Sequence, residues 1–298
     1  MNRKTKHKTA YTGMRYRFSP FDILVYGAML CSLLICIVPF LYMFALSLSE
    51  VRAILNNQVG LWPKGLNTAA YLTIFKYPNF FYAYRNTLFY TSCGTLTALI
   101  FTVLFAYPLS KPFLRTNKFV LKLVVFSMFF SGGLIPTYLL IANLRLTNTP
   151  LAILVPFAIA PFNLIILISF FKGVPHEIEE AALIDGIGHY GILFRIVLPL
   201  STAALATIGL YYAVFFWNDW FNALIYLRSS QYPVMLFLRN IVNGTMMVGE
   251  GAGSAEGNSL GIAIKAAAIM VSTLPIIILY PMLQRFFIAG LTVGSVKG

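Results

Sequence analysis

Residues 21–48 carry one charged side chain, Asp22, in a stretch that is otherwise apolar or weakly polar. A helix needs about 20 apolar residues to cross a hydrocarbon layer about 30 Å thick. Inside lipid the backbone must satisfy its own hydrogen bonds, so such a run folds as a helix. Comparable runs occupy 86–109, 119–142, 151–171, 203–227 and 261–287. The expectation is an all-α membrane protein with six spans. Composition agrees, with 59% hydrophobic and 10% charged residues, against about 25% charged in a soluble domain. Pro39 inside the first run predicts a kink.

The net charge of +13 raises the question of nucleic acid. The basic residues collect beside the apolar runs, which is the pattern of membrane orientation and not of a phosphate-binding face. Nucleic acid is therefore not an expected partner; the lipid bilayer is. Arg3, Lys4, Lys6, Lys8, Arg15 and Arg17 make a basic tail. The apolar run after it is too long for a signal peptide, and no small-residue cleavage site closes it. Six spans place both termini on one side, together with the Lys111–Lys122 loop, Lys172, Arg195, Arg285 and Lys297. The positive-inside rule makes that side the cytoplasm. The expected organisation is a basic cytoplasmic tail over 1–20, a six-span domain over 21–290 and a cytoplasmic tail over 291–298. Cys31, Cys36 and Cys93 lie in apolar stretches without paired spacing, so they read as packing residues and no metal site is expected.

One carboxylate-bearing segment, 177–201, lies between two apolar runs of the second half. Pro175 suits a first helical position, and Glu177, Glu179 and Glu180 complement the positive end of the helix dipole. Gly186 after Asp185 is a stop signal. The spacing predicts a helix from Pro175 to Asp185, followed by a second segment over 190–197 that leads back to apolar sequence at Leu198-Pro199. Ten residues are too few for a stable isolated helix. Helices that merely lie on a membrane are basic on the polar face, and this one is acidic.

Glu180-Ala181-Ala182, Asp185-Gly186, Phe194, Ile196 and Leu198-Pro199-Leu200 resemble the EAA loop of ABC importer permeases. Ile187 and Ala203 depart from that pattern, at positions where a small residue and a second proline are usual. The segment 131–140, SGGLIPTYLL, resembles the LplC-type branch of carbohydrate permeases, and the closing GSVKG resembles maltose-type permeases. The resemblance runs from about Phe21 to Gly298. It implies a type I (MetI-like) importer transmembrane domain in the inner membrane of a bacterium, with 175–197 as a cytoplasmic coupling loop. Glu180, Ala181, Ala182, Asp185, Gly186 and Pro199 would then couple the spans to an ATPase. The implied partners are a second homologous permease, two ATPase subunits, an extracytoplasmic solute-binding protein and a carbohydrate, either an oligosaccharide or a polysaccharide fragment. The chain has no GxxxxGK[ST] phosphate loop. ATP and Mg are therefore expected on the partner ATPases, with no cofactor and no catalytic residue on this chain.

Two further groups stand out. Gly132, Gly133 and Pro136 interrupt the third run, with Tyr138 close by; such a break either lines a wet cavity or allows close helix packing. Trp217, Asn218, Asp219 and Asn222 sit at the outer end of the fifth run. They read as an interfacial anchor, or as an outer gate or a contact for sugar or binding protein; the resemblance favours the latter pair. The aromatic segment 49–84 reads as an outer loop on the membrane surface, and the resemblance equally allows it to contact a substrate-binding protein; 228–260 reads as a further outer loop. Asn243-Gly244-Thr245 matches a glycosylation sequon that carries little weight. An ion-coupled carrier or channel is the rival reading, but Asp22, Asp219, Lys265 and Arg285 all lie near span ends. A membrane enzyme is the third, and His7, His176 and His189 form no intramembrane cluster.

Overall fold

The computed structural model describes residues 20–112, 116–244, 260–278 and 281. The basic tail, Arg115, Thr245 of the sequon, the glycine-rich segment 249–258 and the C-terminal tail with Arg285 and Lys297 lie outside the described residues. Among the described residues the fold is helical, with a single isolated antiparallel bridge between Ser49 and Leu66.

In chain order the helices are α1 (Pro20–Ser47), α2 (Val51–Leu55), α3 (Ala69–Lys76), α4 (Phe80–Ser110), α5 (Asn117–Phe129), α6 (Leu134–Asn143), α7 (Leu151–Leu154), α8 (Pro161–Lys172) and α9 (His176–Ile184). Next comes α10 (His189–Leu200), which includes a π-helical turn over Leu193–Val197. It is followed by α11 (Thr202–Asn218), α12 (Phe221–Tyr226), α13 (Val234–Val242) and α14 (Leu260–Ile278). By length and apolarity α1, α4 and α14 can each cross a membrane alone.

The other expected runs are broken, each for a local reason. The third divides into α5 and α6, bent by 115°. Gly133 caps α6 with φ 86° and ψ 172°, a region essentially restricted to glycine. Pro136 sits in the first turn of α6, where its missing N–H is harmless. The fourth run, expected as one helix over 151–171, divides into α7 and α8. Pro156 and Pro161 flank the gap, and neither can donate a helical hydrogen bond. The run over 203–227 breaks at Asp219 and Trp220, between α11 and α12. A bend of 83° at Ser201 joins α10 to α11.

Helix α4 is the axis of the molecule, flanked by α8 and α11. Its buried stripe reads Gly94, Ala98, Thr102, Ala106, one small residue every fourth position. Apolar burial drives helix association weakly in lipid, so close packing through small residues carries it. Leu167 and Phe171 of α8 and Ile208, Tyr212 and Phe216 of α11 fill the facing layer. A buried polar joint locks the three elements. The hydroxyls of Thr102 and Tyr212 share a 2.7 Å hydrogen bond, and the Ala160 N–H before α8 donates to the Tyr212 oxygen at 2.9 Å. At the other end a second core joins the last turn of α1 to α3, α13 and α14 through Ala45, Ile74, Phe237 and Ala267. There the Val234 N–H, at the first turn of α13, donates to Thr87 Oγ1 of α4 at 2.7 Å.

Candidate coupling site

The carboxylate-bearing segment forms α9, which begins at His176 with Pro175 as its N-cap, one position before the site expected for it. Its far end is a double turn-back: the Gly186 N–H donates to Leu183 O and the Ile187 N–H to Ala182 O. This is the Schellman arrangement, with the left-handed residue at Gly186, φ 79°. Ile187 supplies the apolar contact that accompanies such a cap, packing against the main core. The departure at Ile187 is matched at Gly191, where a Cβ would come within 2.6 Å of the Ile187 side chain. The glycine four residues on makes room for the larger side chain.

Two side chains turn α9 inward, Glu179 and Ala182, and both are buried. Glu179 forms an ion pair with Lys111 at the C-terminal end of α4; side-chain exposure is 7% for the lysine and 6% for the glutamate. The Lys111 ammonium also lies 5.0 Å from the centre of the Tyr107 ring, and that ring meets Phe171 of α8 edge-on. Asn117, the first residue of α5, donates through Nδ2 to Pro108 O and to Lys111 O. Removing one member of a buried pair costs about 3–5 kcal/mol, because the other charge is left uncompensated.

The remaining face of α9 is open. Glu180, Ala181 and Asp185 are exposed, and Ile184 is 87% exposed beside Ile178 and Leu183. Among the described residues, Glu180 makes one exposed ion-pair contact, of 3.7 Å with His176. Tyr190 and Phe194 of α10 extend the apolar surface. Pro199, exposed near the end of α10, precedes the bend at Ser201. The structure thus gathers Glu180, Ala181, Asp185 and Gly186 on one exposed surface, turns Ala182 away from it, and leaves Pro199 at the junction with α11.

The outer-end residues divide differently. Trp217 is buried and donates to Ser272 O of α14 at 3.2 Å. Asp219 Oδ1 accepts from the Asn222 backbone N–H and from its Nδ2 at 2.9 Å, which closes the turn into α12. Asn218 is exposed and donates to Val214 O. Tyr138 stacks on Tyr226 of α12, the ring centres 6.1 Å apart. Gly132 and Gly133 lie away from that contact, in an exposed bend where an added Cβ would meet only Pro136 within 4 Å. Lys111 and Glu179 were not singled out as a pair from sequence; the buried phase of α9 decides which of two adjacent glutamates turns inward.

No protein-family model matches the chain. It is 42% identical over 268 residues to Protein LplC of Bacillus subtilis (strain 168), covering 89% of this chain and 90% of that one. It is 40% identical over 284 residues to the polygalacturonan/rhamnogalacturonan transport system permease protein YtcP of the same organism, covering 93% and 98%. The fold superposes with a TM-score of 0.83 on a chain of a bacterial ABC transporter involved in the import of the acidic polysaccharide alginate, at 33% identity over 91% of this chain and 99% of that one. The chain belongs to the family of carbohydrate ABC importer permeases.

Proposed function

We propose that this chain is one half of the translocation path of an ATP-driven, binding-protein-dependent carbohydrate importer, and that α9 is its coupling helix. One observation carries the reading. A helix too short to stand alone is anchored by Glu179, Ala182 and its Schellman cap, and presents Glu180, Ile184 and Asp185 outward. Such a mixed acidic and apolar face fits a cleft on a soluble ATPase subunit. ATP and Mg are bound by the two ATPase subunits and not by this chain. A second, related permease supplies the other half of the path, and an extracytoplasmic binding protein delivers the saccharide. Two of the relatives handle uronate-rich polysaccharides by name, so oligogalacturonides and alginate oligosaccharides head the substrate panel.

Orientation follows from charge. The α9 end of the molecule, with Lys111, Lys172 and Arg195, is cytoplasmic, as are both termini. Asn218, exposed at the opposite end beside the Asp219–Asn222 turn, is the member of the outer group best placed to meet a binding protein or to act at an outer gate. Gly132, Gly133 and Pro136 make the kink between α5 and α6, and Tyr138, within α6, packs on Tyr226.

The test is co-expression with a partner permease, an ATPase subunit and a solute-binding protein of this transporter class, purification, and uptake into proteoliposomes of labelled oligogalacturonides, alginate oligosaccharides and neutral oligosaccharides. ATPase co-purification together with ATP-dependent uptake of a saccharide is the expected result. Uptake driven by an ion gradient without ATP would instead identify a secondary carrier. Cysteines placed at His189 and Ser230 should react from opposite sides of the membrane; reaction of both from outside would overturn the orientation.

A further inference from the structure

Glu179 and Lys111 are 68 residues apart in sequence and buried together where α4 ends and α9 passes beneath it. Nothing in the exposed face of α9 requires this pair. A short helix can be held by apolar contact alone, and replacing a buried ion pair by apolar groups is often neutral or stabilising. What an ion pair adds is a fixed angle, because it is satisfied in one geometry only. The surroundings reinforce that geometry from three sides. The Lys111 ammonium rests over Tyr107, one turn earlier on α4. The Lys111 carbonyl is held by Asn117 at the start of α5. Tyr107 in turn touches Phe171, in the last turn of α8 and two residues before the loop that enters α9. The end of α4, the start of α5, the end of α8 and α9 therefore meet at one point.

We propose that Lys111 and Glu179 are positioning residues that form a latch between α9 and α4. Through it, a displacement of α9 by the ATPase is passed directly into α4, the central helix, in addition to the covalent route through α10 and α11. This rests on the reading of α9 as the coupling helix. Glu180 and Glu179 then divide the work. Glu180 faces the ATPase and Glu179 faces the spans, about 100° around the helix from it. The buried stripe of α4 reaches from Lys111 to Gly94, so motion of its inner end is carried to the α11 contact at Phe216.

The experiment uses the assembled complex of both permeases with the ATPase, so no transported saccharide is needed. Hydrogen–deuterium exchange is followed over 103–111 and over 176–187, with and without a non-hydrolysable ATP analogue. In the wild type both segments should change on nucleotide addition. In Lys111→Met, in Glu179→Gln and in the double variant, 176–187 should still respond while the response at 103–111 is lost. The double variant should look like either single one, because the pair acts as a unit. Variants in which both segments respond as in the wild type overturn the latch. A double variant that no longer assembles also overturns it, since the pair would then be a folding element only; a single variant is read against the double one, because it leaves one buried charge uncompensated. A wild-type chain that fails to retain any ATPase sinks the coupling-helix reading itself, which distinguishes that failure from failure of the latch.

Discussion

Gly94 of α4 faces the ring of Phe216 on α11 so closely that a Cβ at position 94 would lie 2.7 Å from a ring carbon. Contacts that short do not occur, so any side chain there must displace the ring. Gly94→Ala is expected to lower stability by about 1–3 kcal/mol through overpacking. Gly94→Ala combined with Phe216→Leu should recover part of the loss by vacating the space. Thermal unfolding of the purified complex in detergent measures both. An unchanged midpoint for the single variant would show that the ring has room to move.

The joint at Tyr212 predicts a polar effect of similar size. Tyr212→Phe keeps the buried ring but removes the oxygen that accepts from the Ala160 N–H and bonds Thr102. The orphaned N–H should cost about 1–3 kcal/mol. Thr102→Val should add little once Tyr212 is already phenylalanine, since the two hydroxyls share one bond. Full additivity in the double variant would mean that the hydroxyls act separately.

At Gly133 the sequence points to overpacking as the danger, and the structure supplies a different cause. The nearest atom to a Cβ there is a Pro136 ring carbon at 4.0 Å, so space is open. The backbone, at φ 86° and ψ 172°, is what excludes other residues, at a cost of about 1–3 kcal/mol. Gly133→Ala should therefore impair complex yield nearly as much as Gly133→Leu. Damage that grows steeply with side-chain size would restore the overpacking account.

The parts of this molecule governed by local rules were legible in the sequence. Helix α9 could be placed to within a residue at each end, because a proline, a run of acids and a glycine mark its limits chemically. The break at Gly133 and Pro136 was visible for the same reason. The gap between α7 and α8 had a local signal too, Pro156 and Pro161, but an apolar run long enough to span outweighed it. What was not legible depends on neighbours. Glu179 and Glu180 are chemically identical and adjacent; only the packing of α9 against α4 decides which one meets Lys111. Trp217 reads by its company as an interfacial anchor, a gate or a contact residue, and the sequence does not show that its indole N–H donates to Ser272 O of α14. The four-residue rhythm of Gly94, Ala98, Thr102 and Ala106 was present in the sequence, masked by an overall apolar run whose helical character was already evident.

The two faces of α9 give the sharpest prediction for the coupling role. Glu180 and Ile184 are exposed, and among the described residues they make no contact that stabilises the fold beyond the weak one to His176. Exposed substitutions of this kind change stability by about 0.5 kcal/mol or less. Glu180→Lys and Ile184→Ser should therefore leave the unfolding midpoint of the permease unchanged, while the amount of ATPase that co-purifies falls about tenfold, corresponding to about 1.4 kcal/mol of lost binding. Ala182 is buried on the opposite face, so Ala182→Leu should behave in reverse, lowering stability by about 1–3 kcal/mol through overpacking. Its loss of ATPase should then be no greater than its loss of folded permease. Both quantities come from one preparation, the midpoint from a thermal melt and the ATPase from quantitative gel analysis. If Glu180→Lys and Ile184→Ser retain the ATPase at wild-type stoichiometry, the exposed face of α9 is not the docking surface, and the ATPase must be held elsewhere on the chain.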